Sequence, residues 1–110
     1  MSPRDRKLSG FTVVVAAAYL YDGKDREALA WARRAIDANP HFSVPHSWAA
    51  AAAAHLDDMA TARAALAEFR RLLPQYTISS FRDEKLCSNA LCEQQRERYY
   101  EGLRKAGLPD

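Results

Sequence analysis

Three histidines, two cysteines and two acidic pairs are the side chains of this 110-residue sequence suited to acid–base, nucleophilic or metal chemistry. His41, His46 and His55 are scattered, and none stands at a metal-ligand spacing from Cys87 or Cys92, so a zinc site would lack ligands. Glycine-rich phosphate loops, HExxH and GxSxG are absent. Asp57-Asp58 and Asp83-Glu84 fall at expected helix starts and Arg70-Arg71 near an expected helix end, where the helix dipole accounts for them without chemistry. No nucleophile, base or oxyanion set can be assembled, and the reading is of a non-enzymatic chain with no catalytic residue, metal or cofactor. If Cys87 and Cys92 share one helix, a rise of about 1.5 Å per residue separates them by more than about 7 Å, beyond disulfide reach. They are read as free thiols of a reducing, cytoplasmic compartment.

What remains is organisation. The stretch Gly23 to Pro40 places Ala28, Leu29, Ala32, Ala35 and Ile36 on one helical face and Lys24, Asp25, Arg26, Arg33, Arg34 and Asp37 on the other. Gly23 breaks the chain before this helix, and Asn39-Pro40 ends it. The same punctuation recurs: Pro74 follows Pro40 by 34 residues, and Ala50, Asp57, Ala62, Leu66 and Phe69 answer Ala16, Gly23, Ala28, Ala32 and Ala35 at that offset. A period near 34 belongs to a helix-turn-helix repeat.

These residues resemble tetratricopeptide repeats. Residues 9–42 keep Ala16, Tyr19, Gly23, Ala28, Ala35 and Pro40 at the family's small, aromatic and proline positions, and residues 43–76 keep Ala50, Ala62, Phe69 and Pro74. Ala53 stands where an aromatic is usual, and Thr12 and His46 replace the early tryptophan. The resemblance implies an all-α, right-handed stack of antiparallel helix pairs: two repeats, then a degenerate third pair at 77–107 ending in a capping helix. It further implies a groove lined by the first helix of each unit. The positions carried over are Val13, Ala17, Leu20 and Tyr21, then Ser47, Ala51, Ala54 and His55. They carry no lysine or asparagine to clamp a carboxylate, so the expected ligand is an apolar helix or peptide, of a partner or of a second copy. Trp31, crowded by Lys24, Arg33 and Arg34, is a candidate interface anchor. From Pro74 through Thr77-Ile78-Ser79 to the GLRKAGLP run at 102–109, the chain is also similar to the tetratricopeptide region following the catalytic domain in some bacterial class III adenylate cyclase-like proteins, which implies a regulatory region as the alternative function.

Composition fits one domain. Hydrophobic residues make up 48% and charged residues 27%, which excludes a disordered or membrane-embedded chain. Net charge is +2, supplied by Arg4, Asp5, Arg6 and Lys7, and the remainder is balanced, so no phosphate backbone is the expected partner. Residues 1–8 read as a flexible basic arm before a helical domain at 9–110. Phe11 to Tyr21 is a basic-flanked apolar run of the signal-peptide kind. It is too short to span a bilayer, the repeat register runs through it, and bulky Tyr19 to Tyr21 replace the small residues of a cleavage site, so it is read as a mature helix against the strand preference of Val13 to Val15.

Further helices are expected at His46 to Leu56, after an Asp57 N-cap, at Ser79 to Lys85 behind a Ser80/Asp83 capping box, and at Ala90 to Lys105, with Cys92, Tyr99, Leu103 and Ala106 on one stripe. A turn is expected at Cys87 to Asn89.

Overall fold

The computed structural model describes the backbone of residues 3–83 and 90–110 and the side chains of residues 12–81 and 90–110. Six helices and no strand occur among the described residues: α1 (Pro3–Tyr21), α2 (Asp25–Ala38), α3 (Ser43–His55), α4 (Met59–Leu72), α5 (Ile78–Asp83) and α6 (Ala90–Ala106). The turn expected at Cys87 to Asn89 lies outside them.

Short turns fold α1 back on α2 and α3 back on α4, and α2 packs on α3 to join the two hairpins. Val13 to Val15 are helical, because burial of Ala16 and Leu20 from the same helix outweighs a local strand preference of a few tenths of a kcal/mol per residue. Helix α1 starts at Pro3, within the segment expected to be a flexible arm. Proline suits a first helical position, where its missing N–H leaves no bond unmade.

The 34-residue period is written into the backbone. At the first turn the N–H groups of Asp22, Gly23 and Lys24 donate to the carbonyls of Ala18 and Tyr19, of Leu20, and of Tyr19. At the second, Leu56, Asp57 and Asp58 donate to Ala52 and Ala53, to Ala54, and to Ala53, each bond displaced by 34 residues. Gly23 (φ 80°) and Asp57 (φ 61°) both take the left-handed conformation that closes such a turn. Asp57 therefore does not cap α4. Its neighbour Asp58 does, accepting from the Thr61 N–H at 3.3 Å. The capping box of α5 is likewise shifted: Thr77 and Ser80 exchange backbone-to-hydroxyl bonds of 3.1 and 3.4 Å, so Thr77 rather than Ser80 opens the helix.

Every residue of α3 from Pro45 to Ala54 is buried. Alanine at six consecutive positions is what lets neighbours approach this helix from all sides while it keeps the highest helix propensity. A second layer of core is aromatic, where Phe81 packs at 5.9 Å from Phe69 and edge-on at 5.4 Å from Tyr99. The chain end is tied back to α5, with Ile78 and Ser79 donating to the carbonyls of Pro109 and Asp110.

Candidate helix-binding groove

Helix α6 packs against four of the positions carried over as groove-lining, Leu20, Ser47, Ala51 and His55. Helix α6 lies across α3, with lesser contacts to α1 and α4. Ser47, Ala51 and Ala54 are fully buried as a result, as is Leu20 of α1. His55 is half-buried, and its Nε2–H donates to the Arg98 carbonyl of α6 at 2.7 Å. Tyr21, Val13 and Ala17 are half-buried along the edge of the same core.

Four further contacts seat α6. Ser47 Oγ donates to the Val44 carbonyl at 2.6 Å, which spends its only hydrogen; the Tyr99 hydroxyl, 2.5 Å away, is therefore the donor to Ser47. The Tyr99 ring stacks on Trp48 with centroids 3.8 Å apart, a contact worth about 1 kcal/mol beyond area burial. Complete burial raises the Tyr99 pKa, and the Ser47 bond and Arg96 oppose this, so the hydroxyl stays protonated across the neutral range. Gly102 crosses the backbone of Ala51, since any larger residue would collide with it. Finally, Arg98 straddles α1 and α2: its guanidinium grips Asp25 through bonds of 2.6 and 3.1 Å and also donates to the Leu20 carbonyl at 3.0 Å, one of the orphan acceptors at the end of α1.

This cover leaves one side of α1 open. Val14 is 67% exposed and Ala18 is exposed, although both lie 34 residues before Trp48 and Ala52, which are buried. A cleft of about 640 Å³ opens here, walled by Val14, Val15, Ala18, Tyr19 and Tyr21 of α1, by Asp22 of the following turn and by Gln95 of α6. Its inner wall runs on into the covered groove, because Tyr21 meets Trp48 edge-on at 5.7 Å. Burial pushes the Tyr21 hydroxyl pKa up, partly offset by Arg96. Leu91, on α6 one turn before Gln95, is 64% exposed. The open strip reflects the evenness of α1, which from Leu8 to Tyr21 carries no charge on any side.

Trp31 is half-buried against the core and roofed by the Arg34 guanidinium at 4.7 Å from its ring, so much of its surface is already engaged. The cysteine reading changes too. Cys92 is disulfide-bonded, and no cysteine among the described residues is free. The one other cysteine in the chain is Cys87, which lies outside the described residues. With Cys92 bonded, the argument from free thiols to a reducing compartment lapses. Among the described residues no group of three His, Cys, Asp or Glu side chains converges as a metal site would, and no helix is long and apolar enough to cross a membrane.

Comparison of the chain with protein-family models, with curated proteins and with solved structures found no match.

Proposed function

We propose that this chain is a non-enzymatic interaction module, a tetratricopeptide-type stack of helix hairpins, and that the uncovered α1 side of its groove holds an apolar α-helix of another polypeptide. The observation that supports the reading is the seat of α6, a helix lying against Leu20, Ser47, Ala51 and His55 among the expected groove positions, beside the open cleft on α1. The 34-residue recurrence of the turn bonds supports the repeat assignment. A ligand helix there meets valine, alanine and tyrosine together with Asp22 and Gln95, so affinity comes chiefly from apolar burial and close backbone approach.

Site-specific photo-crosslinking in the expressing cell tests this. A benzoylphenylalanine at Val14 is expected to give one discrete adduct, lost when Ala18→Glu is added, whereas the same probe at Arg63 on the exposed side of α4 gives none. Absence of an adduct from Val14, or equal adducts from both sites, overturns the proposal.

A further inference from the structure

We infer that the cleft between α1 and α6 binds a small amphiphile, its carboxylate at the Arg96 end and its apolar chain laid along α1 toward Val14. The inference goes beyond the helix-docking reading and stands without it. Its basis is the charge balance of α6. Among the described residues, Arg98 is paired with Asp25, Arg104 with Asp110 and Lys105 with Asp57. Arg96, the remaining basic residue of that helix, has no carboxylate partner among them, although it is half-buried where Arg104 and Lys105 are exposed. Tyrosines surround it instead. Its Nε donates to the Tyr100 hydroxyl at 3.0 Å, its guanidinium lies 5.6 and 5.5 Å from the Tyr99 and Tyr100 rings, and it hydrogen-bonds to the Tyr21 hydroxyl. Phenols accept hydrogen bonds and offer a π face but carry no charge near neutral pH, so a half-desolvated cation is left without a counter-charge.

The cleft supplies the rest of the ligand's shape. Tyr21 both walls it and meets Arg96, and Gln95, the residue before Arg96, walls it from α6. The Tyr21 hydroxyl, accepting from Arg96, keeps its own hydrogen for an incoming oxygen. A carboxylate at this corner meets a guanidinium and a phenol O–H, charge-assisted donors that favour an anionic head over a neutral one. Asp22, the acid of the cleft, is exposed and paired with Lys24 at 3.5 Å, so it neither neutralises Arg96 nor turns the site toward cations. Beyond the head the wall is Ala18, Val15 and Val14. From Tyr21 back to Val14 the helix rises by about 10 Å at about 1.5 Å per residue, the span of a medium-length alkyl chain. Such a chain would cover Val14, which is 67% exposed, and the cleft's 640 Å³ is of small-ligand size.

Titration of the full chain with octanoate, followed by amide and guanidinium nuclear magnetic resonance, tests the inference. Saturable shifts are expected at Val14, Ala18 and Gln95 and at the Arg96 Nε–H, with a dissociation constant of about 1 mM or tighter. 1-Octanol and octyltrimethylammonium should bind at least about tenfold more weakly, and acetate, which lacks the chain, should shift nothing. Arg96→Gln should weaken octanoate by at least about tenfold and abolish its preference over octanol, Tyr21→Phe should weaken it by about fivefold, and Arg104→Gln, on the same helix, should leave it within about twofold of the parent. If Arg96→Gln loses helical circular dichroism, Tyr21→Phe and the head-group preference of the parent chain decide. Octanol binding as tightly as octanoate, saturable shifts confined to other residues, or no saturable shifts at all overturns the inference, as does a folded Arg96→Gln that binds octanoate like the parent. A missing Val14 crosslink with octanoate still bound sinks the partner helix and leaves this site standing.

Discussion

A Cβ built on Gly102 of α6 would lie 2.7 Å from the carbonyl oxygen and 2.9 Å from the Cβ of Ala51 in α3. The obstacle is backbone in a helix packed on every side, so it cannot step aside. Two helices that cross at this distance require glycine on one and a small residue on the other, and the rest of the α3–α6 contact follows from that approach.

Gly102→Ala is therefore expected to destabilise the protein by about 2 kcal/mol in urea denaturation, even though alanine gains about 1 kcal/mol over glycine in a helix interior. A neutral or stabilising result would mean that α6 is not seated where described.

The hydroxyl pair beneath it should behave as a unit. Tyr99→Phe removes the donor to Ser47 and is expected to cost about 1 kcal/mol, and Ser47→Ala strands the buried Tyr99 hydroxyl and is expected to cost about 2. Because both changes break the same bond, the double variant should cost less than the two losses added, with a coupling of about 1 kcal/mol by chemical denaturation.

The matched turns offer a comparison within one molecule. Gly23→Ala forces alanine to φ 80° and should cost about 1 kcal/mol. Asp57→Gly relieves the same strain at φ 61° and loses only an exposed ion pair with Lys105, so thermal melting should show a change within about 1 kcal/mol, while Asp57→Ala loses on both counts.

The acid limb of stability has a definite sign. The Lys105 bond lowers the pKa of Asp57, the Thr61 bond that of Asp58, and the Arg71 bond that of Glu68. Groups depressed on folding stabilise the folded chain above their unfolded pKa values, near 4, and that contribution is lost as pH falls through the lower folded values. The melting temperature should be flat from pH 7 to about 5 and decline below about 4. Asp58→Asn, which can still cap α4, should decline less steeply.

Titration with a thiol reagent under denaturing but non-reducing conditions should find no reactive cysteine, and after reduction two per chain. Two thiols before reduction would restore the reading made from spacing.

Much of the hairpin layout was legible in the residues, and the reasons are local. Gly23, Asn39-Pro40 and their counterparts 34 residues on act on the backbone within a few residues of themselves, so helix ends could be placed from them. The exceptions were Asp57 and Asp58, neighbours of one chemical type, where only the dihedral angle separates the turn residue from the cap. The seat of α6 was not legible. Tyr99, Leu103 and Ala106 were visible as one stripe, and all three are buried, but a stripe states that a face is covered and not by which helix. Placing α6 on α3 depended on Gly102 fitting Ala51, a relation between residues 51 apart that no periodicity encodes. For the same reason the groove residues could be named as a set while their division into covered Ser47, Ala51 and Ala54 and half-open Val13 and Ala17 could not.

The alanine run at 49–54 sets a limit on how this chain can diverge. Each of those side chains already touches its neighbours on a helix wrapped by four others, so even one added methyl must be answered by a loss on another element. Relatives should consequently hold these six positions almost frozen while the outer sides of α2 and α4 drift, and any that enlarges one of them should carry a compensating shrinkage across the contact.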